Sequence, residues 1–187
     1  MLGFFPALTI HHDWSKLARQ AKTVAEHFVH TDKFKEKMMY FYGPSLVAEL
    51  PGGGWISKQA DSKDFFVMGG HPELNYIGEQ FTQRFPELSF TPPTIGYSTG
   101  DVPRHRDYEG NGYTSLIYPI NTVNSHGFVY GEHETFEYGF DRPVIINIFQ
   151  EHEVINTEER IWFSIHFNQP IEQVKESFDK LAQVVIQ

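Results

Sequence analysis

Between Thr94 and Phe167 the chain breaks into short runs rich in β-branched and aromatic residues, at 94–98, 113–121, 127–130, 135–138, 144–149 and 160–167, divided by turn-forming segments. Short strands with Gly-rich turns suit a sandwich or jelly roll. The last run is the most restrictive. With a period of two, Arg160, Trp162, Ser164 and His166 share one face, and Ile161, Phe163, Ile165 and Phe167 share the other. The polar face is expected to line a pocket and the apolar face to meet helices.

Those helices are sought on either side of the strands. After Asp13, which stands as an N-cap, Trp14, Leu17, Ala18, Ala21, Val24, Ala25 and Phe28 recur at helical spacing. A second helix is expected from Pro72 to about residue 85, with Leu74, Ile77, Gly78 and Phe81 inward and Pro86 beyond its end. A third follows Pro170, with Ile171, Val174, Phe178, Leu181 and Val185 on one stripe. Residues 43–70 carry Gly-Pro, Pro-Gly-Gly-Gly and Gly-Gly elements and read as turns and a loop positioned to close over a site. The expectation is an all-β core with flanking helices (α+β), a single domain over 1–187. In it, 1–93 is helical and loop support, 94–168 the jelly-roll core and 169–187 a C-terminal helix. A chain of 187 residues buries about two thirds of its unfolded surface, and 17 Phe with 9 Tyr favour a pocket walled by rings.

Within that frame His105 and Asp107 stand two apart, so on a strand an imidazole and a carboxylate reach one point together. His152 follows the apolar run 144–149 and supplies a second imidazole. Two His and one carboxylate on one face leave coordination positions open for a small ligand and dioxygen, the pattern of a mononuclear non-haem iron site. Eight residues after His152, Arg160 presents a planar, two-pronged cation suited to a carboxylate. The His-x-Asp spacing alone carries little weight, since this composition gives about 0.4 occurrences by chance. The chain holds two controls, His11-His12-Asp13 and the carboxylate variant His71-Pro72-Glu73, and each stands at a helix start instead of on a strand. The competing readings are a surface His–Asp pair at 105 and 107, an edge histidine at 152, and an ion pair of Arg160 with Glu158 or Glu159.

A net charge of −9 and a pI near 5.5 disfavour a nucleic-acid partner. There is no cysteine, so the metal ligands must be nitrogen and oxygen. Met1-Leu2-Gly3-Phe4-Phe5-Pro6 lacks a basic n-region, and no apolar run approaches the roughly 18 to 20 residues of a membrane span. No membrane association and a cytoplasmic location are therefore expected, where reducing conditions help keep iron ferrous. His11, His12, His27 and His30 read as surface or packing residues, and His126 and His133 as hairpin residues that are not ligands.

Tyr97-Ser98-Thr99-Gly100 leads into His105-x-Asp107, and Gly110-Asn111-Gly112 leads into Ser115-Leu116-Ile117-Tyr118-Pro119-Ile120-Asn121; His152-Glu153-Val154, Arg160 and Ser164 follow. Over roughly 94–168 this series resembles the 2-oxoglutarate/Fe(II)-dependent oxygenases, closest in motif to prolyl hydroxylase-like members. The first ninety residues show no comparable likeness. The resemblance implies a double-stranded β-helix, a cupin-like jelly roll covered by N-terminal and C-terminal helices. It also implies Fe(II) on His105, Asp107 and His152, with 2-oxoglutarate as cosubstrate held at its far carboxylate by Arg160. Tyr97 and Ser164 would border that cosubstrate, and ascorbate would serve as reductant. The implied reaction hydroxylates an unactivated C–H bond with dioxygen and releases succinate and CO2. A prolyl or asparaginyl side chain of a protein or peptide is the substrate class of the nearest members, with a small-molecule substrate as the alternative.

Two departures stand out. Related enzymes often place the basic residue nine or ten positions after the histidine, not eight. A tyrosine that holds the far carboxylate in some relatives falls at Pro119, leaving Tyr118, Tyr113 or Ser164 to replace it. Tyr97 reads equally well as a core aromatic, and Arg104, Arg106, Trp162 and His166 are candidates for the pocket rim. From a different class comes the reading of a non-catalytic, cupin-like protein that binds or senses a carboxylate through its metal.

Overall fold

The computed structural model describes residues 2–4, 8–10, 13–29, 35–39, 43–59, 65–107, 113–121, 126–131, 134–138, 143–155, 158–180 and 184–186. In chain order the elements are β1 (Leu2–Phe4), β2 (Leu8–Ile10), α1 (Trp14–Val29), β3 (Lys35–Met39), β4 (Gly43–Glu49), β5 (Trp55–Gln59), β6 (Phe65–Gly69) and α2 (Pro72–Arg84). There follow β7 (Thr94–Thr99), β8 (Val102–His105), β9 (Thr114–Pro119), β10 (His126–Tyr130), β11 (Glu134–Tyr138), β12 (Val144–Asn147), β13 (His152–Ile155), β14 (Glu159–Phe167), α3 (Ile171–Asp179) and β15 (Val184–Ile186).

From β7 onward the chain passes back and forth between two sheets. One has the order β1-β12-β9-β14-β7-β6-β5-β4-β3 and the other β11-β10-β13-β8. Thus β7, β9, β12 and β14 face β8, β10, β11 and β13, with every neighbouring pair antiparallel. This strand order is that of a double-stranded β-helix, so the expected jelly roll is observed.

Strand β14 divides the interior in two, as its alternation requires. Ile161, Phe163, Ile165 and Phe167 are each 2% exposed or less and belong to the main core with Trp14, Leu17, Ala21 and Ala25 of α1, Leu74, Ile77 and Phe81 of α2, and Ile171, Val174 and Phe178 of α3. The Trp14 ring stands 5.3 Å from Phe163 and 5.5 Å from Tyr118, and Phe85 stands 4.8 Å from Phe178. Trp162, on the opposite face, joins Ile146, Ile148 and Val154 in a smaller cluster inside the roll. Helix packing thus fixes one side of the large sheet and leaves the other to the site.

The support region departs from expectation. Residues 43–70 are not turns and a loop: β4, β5 and β6 form an antiparallel meander that carries the large sheet outward from β7. Gly52, Gly53 and Gly54 all have positive φ and close the β4–β5 turn, with Gly53 N–H donating to Leu50 O. Ile56, Phe66 and Met68 are buried toward the helices, and Ser57 and Val67 beside them are buried too, so no polar–apolar alternation marks these strands in the sequence. Among the described residues, the region 1–93 therefore supplies six strands as well as two helices. At the other end α3 stops at Asp179, and Val185 lies on β15, paired in parallel with β2, where a longer helix was expected; Leu181 lies outside the described residues. Among the described residues no helix is long and apolar enough to cross a membrane.

Candidate metal centre

Two short strands, absent from the runs read in the sequence, place the ligands. His105 ends β8 and lies in register with His152, which opens β13, so antiparallel pairing sets the two rings side by side with centroids 4.3 Å apart. Asp107 lies just beyond β8, held by its backbone N–H to Ile148 O at 3.0 Å. Its Oδ1 is 3.5 Å from His105 Nε2 and its Oδ2 is 3.9 Å from His152 Nε2. All three ligand atoms fall within 4.8 Å of one another. Donors bound at about 2.1 Å to one divalent ion stand about 3.0 Å apart when adjacent and about 4.2 Å when opposite, so the two measured separations fit one ion.

The backbone also fixes the tautomers. His105 Nδ1 lies 2.7 Å from Pro103 O and His152 Nδ1 lies 2.9 Å from Gln150 O. A carbonyl only accepts, so each Nδ1 carries the proton; in the neutral ring each Nε2 lone pair is left for a cation, and only the protonated ring donates from Nε2 to Asp107. Burial works to raise the Asp107 carboxyl, but the His105 hydrogen bond and the charges of His152 and His166 outweigh it and hold Asp107 below its usual range. For His152, burial prevails over the attraction of Asp107 and lowers its pKa, favouring the neutral ligand form. His105 is also opposed by burial, yet its hydrogen bond to Asp107 and that anion's charge raise it. The result is one anion between two imidazoles, a hard and borderline donor set for a divalent metal.

Arg160 is 4% exposed and lies on the inner face of β14, in register with Ser98, with Cζ 4.0 Å from the Trp162 ring centroid. Its charge opposes protonation of both ligand histidines. Glu159, one partner in the competing ion-pair reading, is instead paired with Lys22 of α1 at 2.7 Å. Ser164 and Thr94 are buried on the same inner wall, their hydroxyl oxygens 2.9 Å apart. Thr94 was missed in the sequence, although its place across from Ser164 marks it once the register is known. His166 also faces inward and is buried, where burial lowers its pKa against the pull of Asp107. Arg104 and Arg106 both turn to Glu151: Arg104 Nε donates to it at 3.1 Å, and Arg106 lies 3.6 Å from the same carboxylate.

Tyr97 does not join this group. It is in register with Ile161, one residue out of step with Arg160, and alternation turns it to the helix-facing side. There its hydroxyl donates to Glu159 at 3.3 Å and its ring lies 6.3 Å from Phe66. Tyr97 is therefore a core aromatic and not a cosubstrate contact. Replacing it by Phe should cost about 0.5–1.5 kcal/mol in urea unfolding, the worth of one ordinary hydrogen bond, and leave metal affinity unchanged.

His71 is the N-cap of α2, its Nδ1 accepting from Glu73 N–H, so that motif copy is structural. Asp13 directly precedes α1 and its carboxylate accepts from the Ser15 hydroxyl at 2.6 Å. His11, His12, His30, His133 and Gly110-Asn111-Gly112 lie outside the described residues, as does the side chain of His126.

No protein-family profile matches the chain, and no curated protein sequence matches it. Among solved structures, the ribosomal oxygenase YcfD of Escherichia coli is similar at 15% identity and a TM-score of 0.45, over 85% of this chain and 46% of that one. An oxidoreductase of the 2OG-Fe(II) oxygenase family from Burkholderia pseudomallei gives 14% and 0.42, over 84% of this chain and 90% of that one. The non-heme alpha-ketoglutarate-dependent epimerase SnoN from nogalamycin biosynthesis gives 8% and 0.47, over 89% and 77%. The chain spans about half the length of YcfD. The jelly-roll assignment stands on this chain's own strand order.

Proposed function

We propose that this chain is a 2-oxoglutarate- and Fe(II)-dependent dioxygenase that hydroxylates an unactivated C–H bond, with a prolyl or asparaginyl side chain of a protein as substrate. The observation that carries the reading is the convergence of His105, Asp107 and His152, each imidazole already in the metal-binding tautomer, inside a roll whose wall bears the buried Arg160.

Ferrous iron on those three residues would couple decarboxylation of 2-oxoglutarate to hydroxylation, one oxygen atom of O2 entering succinate and the other the product. The chain itself supplies position. The carbonyls of Pro103 and Gln150 keep both Nε2 atoms aimed at the Asp107 carboxylate, and the backbone bond from Asp107 to Ile148 holds that carboxylate in place. Arg160 offers two parallel N–H groups to the far carboxylate of the cosubstrate, with the Thr94 and Ser164 hydroxyls on the same wall. Ile146, Ile148, Val154 and Trp162 line the interior between the sheets and exclude water.

The test is succinate formation from 2-oxoglutarate by the iron-loaded protein with ascorbate, together with the gain of one oxygen atom in a peptide and metabolite library followed by mass spectrometry. Turnover that requires both iron and 2-oxoglutarate is expected. Stabilisation by metal and 2-oxoglutarate without succinate would instead identify a carboxylate-binding or sensing protein.

A further inference from the structure

The unusual feature of the inner wall is how Arg160 is held. Trp162 lies two residues along β14 on the same face and is 7% exposed. Its indole lies flat across the neighbouring strand at Gly96, its register partner on β7; a Cβ at that glycine would overlap the ring. Phe65 of β6 closes in with its ring centroid 5.4 Å from that of Trp162, tilted by 52°. The Arg160 guanidinium carbon stands 4.0 Å from the ring centroid on this clamped plane. A buried, flexible arginine is thereby confined by an aromatic surface that cannot itself turn.

From this seat we propose that Trp162 is a positioning residue, which fixes the Arg160 guanidinium and so sets the chain length of the dicarboxylic acid the site accepts. The inference rests on the oxygenase reading above and deepens it. The metal-binding atoms are anchored by backbone carbonyls at one end, and the guanidinium is anchored by the Gly96–Trp162–Phe65 stack at the other. A 2-oxo diacid spanning two fixed ends is measured by its number of methylenes. Freed from the indole, Arg160 gains rotamers, each of which must be given up again on binding, and its reach becomes adjustable.

The experiment is calorimetric titration of the Mn(II)-loaded protein with 2-oxoglutarate, with oxaloacetate (one methylene shorter) and with 2-oxoadipate (one longer), for the native chain, Trp162→Leu, Trp162→Phe and Arg160→Ala. Trp162→Leu is expected to weaken 2-oxoglutarate about tenfold, and Trp162→Phe, which keeps an aromatic face, to recover to within about threefold of the native value. Preference for 2-oxoglutarate over the other two acids should shrink in Trp162→Leu, its KM should rise with kcat little changed at saturation, and Mn(II) affinity should stay native. Gly96→Ala, which evicts the indole while keeping Trp162, should reproduce the loss of length preference; combined with Trp162→Leu it should add little.

Native 2-oxoglutarate affinity and length preference in Trp162→Leu, with binding weakened in Arg160→Ala, would overturn the positioning role and leave the oxygenase reading intact. Loss of Mn(II) together with 2-oxoglutarate in both Trp162 variants would reduce the residue to core packing and overturn it likewise. If the native protein binds none of the three acids, or Arg160→Ala binds them unchanged, the cosubstrate reading itself fails and this inference with it.

Discussion

Asp107→Ala should lower affinity for Mn(II) or Fe(II) by at least about a hundredfold and abolish succinate formation, the largest effect expected of any single substitution in this chain. Asp107 is the anion of the set. Its carboxyl is held below the usual range, whereas His152 is pushed toward its neutral form, so removing Asp107 leaves imidazoles with no compensating charge. Asp107→Asn keeps the shape and the Ile148 backbone bond but not the charge, and should also bind poorly. Asp107→Glu keeps the charge but adds a methylene to a carboxylate whose oxygens now stand 3.5 and 3.9 Å from the two Nε2 atoms; weak, measurable binding is expected. Metal-dependent stabilisation gives a readout independent of turnover. A native site at a hundred times its dissociation constant gains about 2.7 kcal/mol against unfolding, and Asp107→Ala should gain almost none at the same concentration. Native metal affinity in that variant would reject the assigned centre.

The three side chains that converge, His105, Asp107 and His152, were legible in the sequence as candidate ligands because coordination chemistry restricts both their type and their spacing. Their mode of delivery was not. Asp107 does not share a strand face with His105; β8 ends at His105, and a backbone bond to Ile148 turns the next two residues back toward the site. Strands of four residues such as β8 and β13, with exposed positions in both, leave too short an alternation to read. The nine-residue β14 left a clear one, and both of its faces emerged as expected. Tyr97 shows the cost of reading a motif without register. The resemblance put it beside the cosubstrate, but a shift of one residue along a strand reverses the face, and it belongs to the main core. In 43–70 the glycines mark one real turn, at 52–54, while the intervening segments pair into strands through backbone bonds that composition does not reveal. Gly96 was silent for a different reason: its meaning lies in the indole that crosses it from another strand.

Arg160→Ala is the second large effect: the requirement for 2-oxoglutarate should rise about a hundredfold, within the range of about 2–5 kcal/mol lost when one partner of a buried, hydrogen-bonded charge pair is truncated. Arg160→Lys retains the charge but neither the paired N–H geometry nor the flat stack on Trp162, and a loss of about tenfold is expected. The metal should respond in the opposite sense. The Arg160 charge now opposes protonation of His105 and His152, and by the same electrostatics opposes a cation between them. Its removal should therefore leave Mn(II) affinity unchanged or slightly higher while 2-oxoglutarate affinity collapses. A general loss of structure would lower both. Succinate, which retains the far carboxylate but lacks the 2-oxo acid end, should lose inhibitory strength in parallel with 2-oxoglutarate. An unchanged 2-oxoglutarate requirement in Arg160→Ala would remove the guanidinium from the cosubstrate site, whatever the fate of the metal centre.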